Sequence, residues 1–598
     1  MKQQFDVIVV GAGHAGVEAA HAAATMGGSC LLLTMNLDSL SFMACNPSIG
    51  GSAKSHLVHE IDALGGLMGI LADKSAIQIR MLNTTKGAAV RSLRTQADRI
   101  KYHLTAKKII EQNKNITIKQ GEATQIQPYN DQLMIRLLTG EEFCAPSVVI
   151  ACGVYLQSNI LIGDKNLQSG PSGFNRSSHL SSSLQQLGLE LRRFSTSTPP
   201  RIDGKTVDYS QTTIQHGDDN IQTFSSLTNG SIKNKVVCHM VYTNKHTHDI
   251  IAKNITKSPM YRGNGLGSGP RYCPSIEDKI ATFPDRDRHQ LFLEPESLST
   301  NDIYVQGLFT GLPGDVQQEF VNSIDGLQHA QIVYDGYAIE YDCIDSTQLF
   351  PTLEFKGQKG LFFAGQINGS SGYEEAAAQG LVAGISALLH ARHSDKTLDL
   401  SRTNSYIGVL IDDLVTKGTA EPYRMLTSRA EHRLHLRQDN ADIRLTQIGR
   451  DIGLVCDKRW RVFQKKLKQI EQVKELLSQS ILHDGEKITI EQYIKRGNDI
   501  KDLELFKGIT PSVLEHVETE TKYEGYLARQ NRIIHESKRQ EQTKLPSDID
   551  YSQIKALSRE AVEKLTLIRP LTIAQATRIS GITPADISVL LVWLKKNY

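Results

Sequence analysis

The sequence predicts an α/β fold up to about residue 400, followed by an all-α region. Three observations predict it. The apolar run Phe5 to Val10 leads directly into Gly11, Ala12, Gly13, His14, Ala15 and Gly16, and then into an alanine-rich stretch to about Thr25. Two further apolar runs, Ser147 to Ala151 and Leu361 to Ala364, each break at a glycine, Gly153 and Gly365. Only nine of the 46 glycines lie beyond residue 400, where Lys/Arg/Glu/Gln-rich helical patterns such as Trp460 to Ser478 take over.

Each element follows from its pattern. Apart from Asp6, Phe5 to Val10 is apolar on both faces and of strand length, as a buried parallel strand requires. With the helix to Thr25 and a second strand at Ser29 to Thr34, it forms a β-α-β unit of Rossmann type. Ser147 to Ala151 and Leu361 to Ala364 add two buried strands, the latter running through Gly365 and Gln366 into a helix after Tyr373. A domain boundary falls at about His393 to Thr403. Ser558 to Leu594 reads as a compact helical module, with Thr572 and Thr583-Pro584 as helix starts.

Composition bounds the function classes. Of 598 residues, 40% are hydrophobic and 22% charged, enough apolar material for a large core. The formal charge is +2, so a nucleic-acid partner would need a local basic patch. Eight scattered cysteines exclude a secreted disulfide framework. No basic and apolar leader precedes the first strand, and no run reaches the roughly 18 apolar residues of a membrane span. The expectation is a soluble, reduced, cytoplasmic protein without a membrane partner.

The glycine motif sits between a strand and a helix. That context lets the backbone approach a pyrophosphate at a helix N-terminus. The acid usually found about 20 residues on is replaced by Met35-Asn36, and Asn36 can still bond a hydroxyl. The second glycine-rich turn, Phe363 to Gly380, matches the turn that lies over the ring in two-motif flavoproteins, where the helix dipole stabilises negative charge near N1–C2=O. The pairing favours FAD over a simple NAD dehydrogenase.

Cys45 and Cys273 stand in Gly/Pro-rich loops, and Arg271 and Lys279 flank Cys273 as thiolate-favouring charges. No Cys-x-x-Cys pair is present, which disfavours a disulfide reductase. Cys238, His239, His246 and His248 match no standard zinc spacing, and no metal site is expected. Residues 421 to 450 carry six arginines. Arg429, Arg433 and Arg437 repeat every four residues and would share one helical face for RNA phosphates. Lys458, Arg459, Arg461, Lys465, Lys466 and Lys468 follow. The alternative is a solvated helix face.

These residues carry a resemblance over essentially the whole chain, from Val7 onward. The sequence resembles the MnmG/GidA family, the large flavoprotein subunits of tRNA wobble-uridine carboxymethylaminomethyl-modifying enzymes. Its most specific segments are Cys45–Gly51, Gly269–Lys279, His289–Glu296, Gly336–Asp342 and Phe363–Gly380. Thr427–Glu431, Asp439–Thr446, Tyr523–Tyr526 and Arg569–Ile579 extend it into the helical region.

The resemblance implies a Rossmann-type, glutathione-reductase-like FAD domain at 1–200 and 285–398, with an inserted NADH domain at 201–284. It implies a helical tRNA-binding region at 399–550 and a C-terminal helical module at 551–598 that docks a GTPase partner of the MnmE type. FAD would lie on Gly11 to Gly16, with contacts at Ala123, Ser177 and Gln366. NADH would meet Gly269, Pro270, Arg271, Tyr272, Cys273, Pro274, Ser275, Ile276, Glu277, Asp278, Lys279, Ile280, Ala281, Thr282 and Phe283. Cys273 would be the principal catalytic thiol and Cys45 a supporting one. Methylenetetrahydrofolate would supply the carbon and glycine or ammonium the amine, in a homodimer that joins its GTPase as a heterotetramer. The rival expectations are a folate/FAD-dependent tRNA uridine C5-methyltransferase and a non-catalytic flavin-holding tRNA scaffold. The chain departs from the family pattern at Ser52–Ser55, Cys152, Gly170–Phe174, Ser197, Phe309–Gly311 and His432.

Overall fold

The computed structural model describes residues 3–597 except 229, 231, 262–268, 270–273 and 547. At its centre is a five-stranded parallel sheet in the order Leu361–Phe363, Ser147–Ile150, Val7–Val10, Cys30–Thr34, Ile116–Gln120. Val7 stands opposite both Cys30 and Ser147. The residues of the three central strands are buried, as the apolar runs required.

Two helices, His14–Thr25 and Tyr373–Ala391, pack on this sheet and on each other. Their backbones meet because small residues face each other. A Cβ on Gly380 would lie 2.0 Å from the Ala15 carbonyl oxygen, and one on Gly384 2.3 Å from that of Ala19. The alanine-rich composition therefore sets the distance between the two helices that open onto the site.

An antiparallel stalk, Leu191–Thr198 against Tyr337–Ile344, leads into and out of an inserted domain. Thr198 pairs with Tyr337 at its end. The insert thus runs from Pro199 to Gly336, not 201–284. Its six-stranded antiparallel sheet includes Gln290–Pro295, Asp302–Gln306 and Ile332–Tyr334, and one apolar core joins Ile202 to Ala330. The expected boundary at 284 cut this sheet because its later strands pair with Cys238–Tyr242 and Arg201–Asp203 across long sequence gaps.

The expected start of the helical region at 399 is likewise displaced. Tyr406–Asp412 and Ala441–Asp451 pack into the first core through Tyr406, Leu410 and Leu445. Glu60 anchors them, its carboxylate accepting the N–H groups of Tyr406 and Ile407 and a bond from Arg444 Nη1 at 2.8 Å. In the helical region separate cores form only from Ile470 to Val517 and from Leu545 to Leu594. Thr572 caps the helix Ile573–Arg578, and Thr583 Oγ1 accepts from Asp586 N–H at the start of Pro584–Asn597. Among the described residues no helix is long and apolar enough to cross a membrane.

Candidate active site

A cavity of about 690 Å³ opens at the carboxyl ends of the parallel strands. The glycine motif forms one wall. Gly11 has φ +103°, and a Cβ there would come within 2.4 Å of the Ala151 carbonyl oxygen. A Cβ on Gly16 would lie 1.7 Å from the Gly11 oxygen, so Gly16 shapes the turn from behind and does not line the cavity. Gly13 lines it, and a Cβ there would meet nothing within 4 Å. Gly13 is also the N-cap of His14–Thr25 and makes no side-chain cap bond. The first-turn amides and the positive end of the helix dipole therefore meet the cavity, as a pyrophosphate requires.

The other residues expected to hold FAD lie around the same space. Gly11, Ala12, His14, Ala15, Ala123, Ser177 and Gln366 all line it, together with Asn36. His14 packs on Tyr373 with ring centroids 4.4 Å apart. Burial lowers its pKa from 6.5 to about 4, and its Nε2 finds no partner among the described residues. An uncapped helix start, a buried polar atom awaiting a partner and a second glycine turn on one cavity fit FAD.

The second turn, Gly365 to Gly372, feeds the helix Tyr373–Ala391, whose first turn carries Glu374 and Glu375. Lys54 Nζ lies 2.7 Å from Glu374 Oε2 and 3.3 Å from Glu375 Oε2. Burial works against the Lys54 charge, but the two carboxylates outweigh it and raise the pKa. Burial also opposes ionised Glu374, and Lys54 outweighs that in turn and lowers the pKa. Lys54 and Glu374 are thus charged, and the remaining oxygens of the two carboxylates take backbone donors. Gly50 N–H donates to Glu374 Oε1 at 2.7 Å, and Met425 N–H to Glu375 Oε1 at 3.0 Å.

Cys45, half-buried, lies on the cavity wall. Its N–H donates to Tyr373 Oη at 2.7 Å, and its Sγ lies 3.2 Å from Tyr304 Oη. Arg201 Nη2 donates to the carbonyls of Ala44 and Cys45 at 3.0 and 3.3 Å. Arg201 is buried, with Nε 3.2 Å from Glu296 Oε1. Glu296 also pairs with Arg99 at 2.7 Å. The Cys45 loop is thus held between the insert and the cavity helix. Arg201, Tyr304, Tyr373 and Lys54 escaped the sequence reading. The turn Thr198-Pro199-Pro200 before Arg201 was the one available signal, a rigid entry to a strand that starts with a cation.

Pro270, Arg271, Tyr272 and Cys273 lie outside the described residues. Of the rest of that stretch, Gly269 is exposed, and none of Pro274 to Phe283 lines the cavity. Ser275 caps Ile276–Thr282 in a capping box with Asp278. Ile276 and Ile280 enter the insert core, and Glu277 Oε1 accepts from Thr310 Oγ1 at 2.9 Å. Ile276 N–H donates to the Phe309 carbonyl, which ties this helix to a residue that does line the cavity.

The shared helical face of Arg429, Arg433 and Arg437 is overturned. The segment is a short 3-10 turn, Thr427–Arg429, followed by irregular turns. Arg437 is fully buried, with Nε and Nη2 on Asp439 at 2.9 and 3.0 Å and Nη1 on the Leu434 carbonyl. Arg429 stacks 4.2 Å over the Tyr423 ring and donates to the Arg424 carbonyl. Of the three, Arg433 alone is exposed.

The dinucleotide turn, the second glycine turn and the antiparallel insert define a Rossmann-type FAD-binding protein. The chain belongs to the GidA family: the family described as "Glucose inhibited division protein A" matches residues 6–395. The MnmG/GidA C-terminal helical domain and helical bundle match residues 457–531 and 533–598. The chain is 49% identical to the "tRNA uridine 5-carboxymethylaminomethyl modification enzyme MnmG" of Geobacillus thermodenitrificans, over 99% of this chain and 98% of the relative. It is 49% identical to the enzyme of that name from Bacillus subtilis, with the same coverage. A crystal structure of Aquifex aeolicus GidA superposes with a TM-score of 0.93 at 45% identity, covering 99% of this chain and 100% of that one.

Proposed function

We propose that the protein is an FAD-dependent enzyme that adds an aminomethyl or carboxymethylaminomethyl group to C5 of the wobble uridine of tRNA. Its further substrates are NADH, methylenetetrahydrofolate and glycine or ammonium. The observation that carries this reading is near-full-length likeness to enzymes bearing that name, joined to a thiol on the wall of the dinucleotide cavity.

When bound, FAD supplies the redox chemistry between NADH and the one-carbon unit. The protein's part is binding, positioning and proton control. Gly11 to Ala15 would hold the pyrophosphate, and neutral His14 would offer Nε2 to the cofactor. Uridine C5 is a poor nucleophile until a group adds at C6, and a thiolate is suited to that addition. Cys273 is assigned that step and Cys45 a supporting proton transfer. The base must leave its stack to reach them. NADH is assigned to the Gly269 to Phe283 region, which the Phe309 contact joins to the cavity.

Lys458, Arg461, Lys465 and Lys468 are exposed along one face of the helix Asp457–Leu476 and support a phosphate track, with Arg433 added. The last module, where Leu567 and Val592 are exposed, is assigned to docking a GTPase partner, and the assembly is read as a homodimer that joins it as a heterotetramer. Anaerobic mixing with NADH tests the redox reading. Bleaching of the flavin is expected, and an unbleached spectrum in fully loaded protein would shift the reading to a tRNA-binding scaffold.

A further inference from the structure

Two insert side chains reach the Cys45 loop without a part in the chemistry outlined above. Arg201 and Tyr304 stand directly opposite each other on neighbouring antiparallel strands. Their side chains therefore leave the sheet on one face. The guanidinium lies 4.9 Å from the centre of the Tyr304 ring. Arg201 also holds the Thr198 hydroxyl at 2.6 Å and the Pro199 carbonyl at 3.1 Å, which fixes it at the end of the stalk.

Among the described residues, the groups that face the Cys45 thiol include Tyr304 and Arg201 from the insert, Tyr373 from the cavity helix and Tyr337 from the stalk, with Glu296 and Arg99 behind Arg201. Burial holds the Tyr304 and Tyr373 phenols well above their usual range and raises that of Tyr337, so all three stay neutral. Burial opposes the Arg201 charge, but the acidic groups around it, Glu296 foremost, together outweigh burial, and Arg201 stays a cation. Among the described residues Arg201 is a cation that interacts with Cys45, and a nearby cation favours an anionic sulfur. Once the thiol is ionised it has no proton to give, so the Tyr304 hydroxyl is the donor across the 3.2 Å contact.

We propose that Tyr304 is a positioning residue for Cys45: its hydroxyl donates to Sγ, holds the sulfur at the cavity wall and favours the reactive thiolate over the thiol. This rests on the reading of Cys45 as a reacting thiol. The thiol proton goes to solvent, and Tyr304 keeps its own.

The test is the pH profile of Cys45 alkylation by iodoacetamide in reduced, FAD-loaded, full-length protein, read on the peptide that carries Cys45. Tyr304→Phe removes one oxygen and keeps the ring beneath Arg201. Its profile should move to higher pH, with the rate at pH 7 falling roughly five- to tenfold. Site-specific 3-fluorotyrosine at 304, a stronger donor of nearly the same shape, should move the profile to lower pH, and it decides the matter if Tyr304→Phe fails to fold. Profiles that superimpose on wild type, or a Cys45 that reacts at no pH, overturn the proposal. A wild-type protein that leaves tRNA unmodified overturns the functional reading instead, and the alkylation profiles still decide Tyr304.

Discussion

Two glycine-rich turns open two helices onto one cavity, on opposite electrostatic plans. In the helix that starts within Gly11 to Gly16 the first turn has no acidic residue, and His14 is neutral. After Gly365 to Gly372 the first turn carries two buried carboxylates, with Lys54 between them. The first turn thus leaves its dipole for a ligand's anion. The second applies its dipole to its own acids, which pin Gly50 and Met425 beside the site. That second turn is further tied to Tyr423, whose N–H donates to the Gly369 carbonyl and whose carbonyl accepts from Ser371 N–H, both at 2.7 Å. Both turns line the cavity, but only the first leaves its helix dipole to a ligand, while the second uses its own to hold neighbouring loops.

The comparison breaks most sharply at Gly13. Gly13→Ala should leave the apo fold intact, because its Cβ meets no protein atom within 4 Å. It should cost about 3 kcal/mol of FAD binding, roughly 150-fold in affinity, by filling the cradle. Gly16→Ala, with its Cβ 1.7 Å from the Gly11 oxygen, should lose both FAD and stability. Flavin content and melting temperature separate the two, and full FAD retention in Gly13→Ala would contradict the cradle.

At the second turn, Lys54→Met leaves Glu374 and Glu375 buried without their cation. A stability loss of about 3 kcal/mol is expected in denaturant unfolding. An unchanged midpoint would show that the carboxylates do not depend on Lys54.

The smallest effect is a pH dependence of the first helix. Burial lowers His14 and His21 from 6.5 to about 4. The unfolded chain then binds protons first, so the stability they contribute is full above pH 6.5 and is lost as pH falls toward 4. Glu18 on the same helix opposes them. Burial raises it from 4.5 to about 7, so its contribution is lost as pH rises across that window. The net loss from these three groups between pH 7 and 5 is about 1 kcal/mol. Glu18→Gln should steepen it and His21→Asn should flatten it, measured by urea unfolding at both pH values.

What was legible in the sequence was local. The strand, turn and helix at Val7 to Thr25 follow from an apolar run and glycines at fixed offsets, and the caps at Thr572 and Thr583 follow from hydroxyl chemistry. What depends on distant pairing was not legible. Arg201 and Tyr304 become neighbours only when two strands about a hundred residues apart pair, and no spacing announces it. The insert boundary failed for the same reason. Arg429, Arg433 and Arg437 have helical spacing, but Arg437 serves Asp439 and the Leu434 carbonyl inside the fold. A cation's burial is set by its partners, and its periodicity is silent about them.

The most direct test of the account is nucleoside mass spectrometry of tRNA incubated with this protein, a GTPase partner, NADH, GTP, methylenetetrahydrofolate and glycine or ammonium. The account predicts an aminomethyl or carboxymethylaminomethyl group on the wobble uridine, lost in Cys273→Ser and reduced in Cys45→Ser. Unmodified tRNA, with FAD bound and the partner active beside a homologous enzyme, would contradict it.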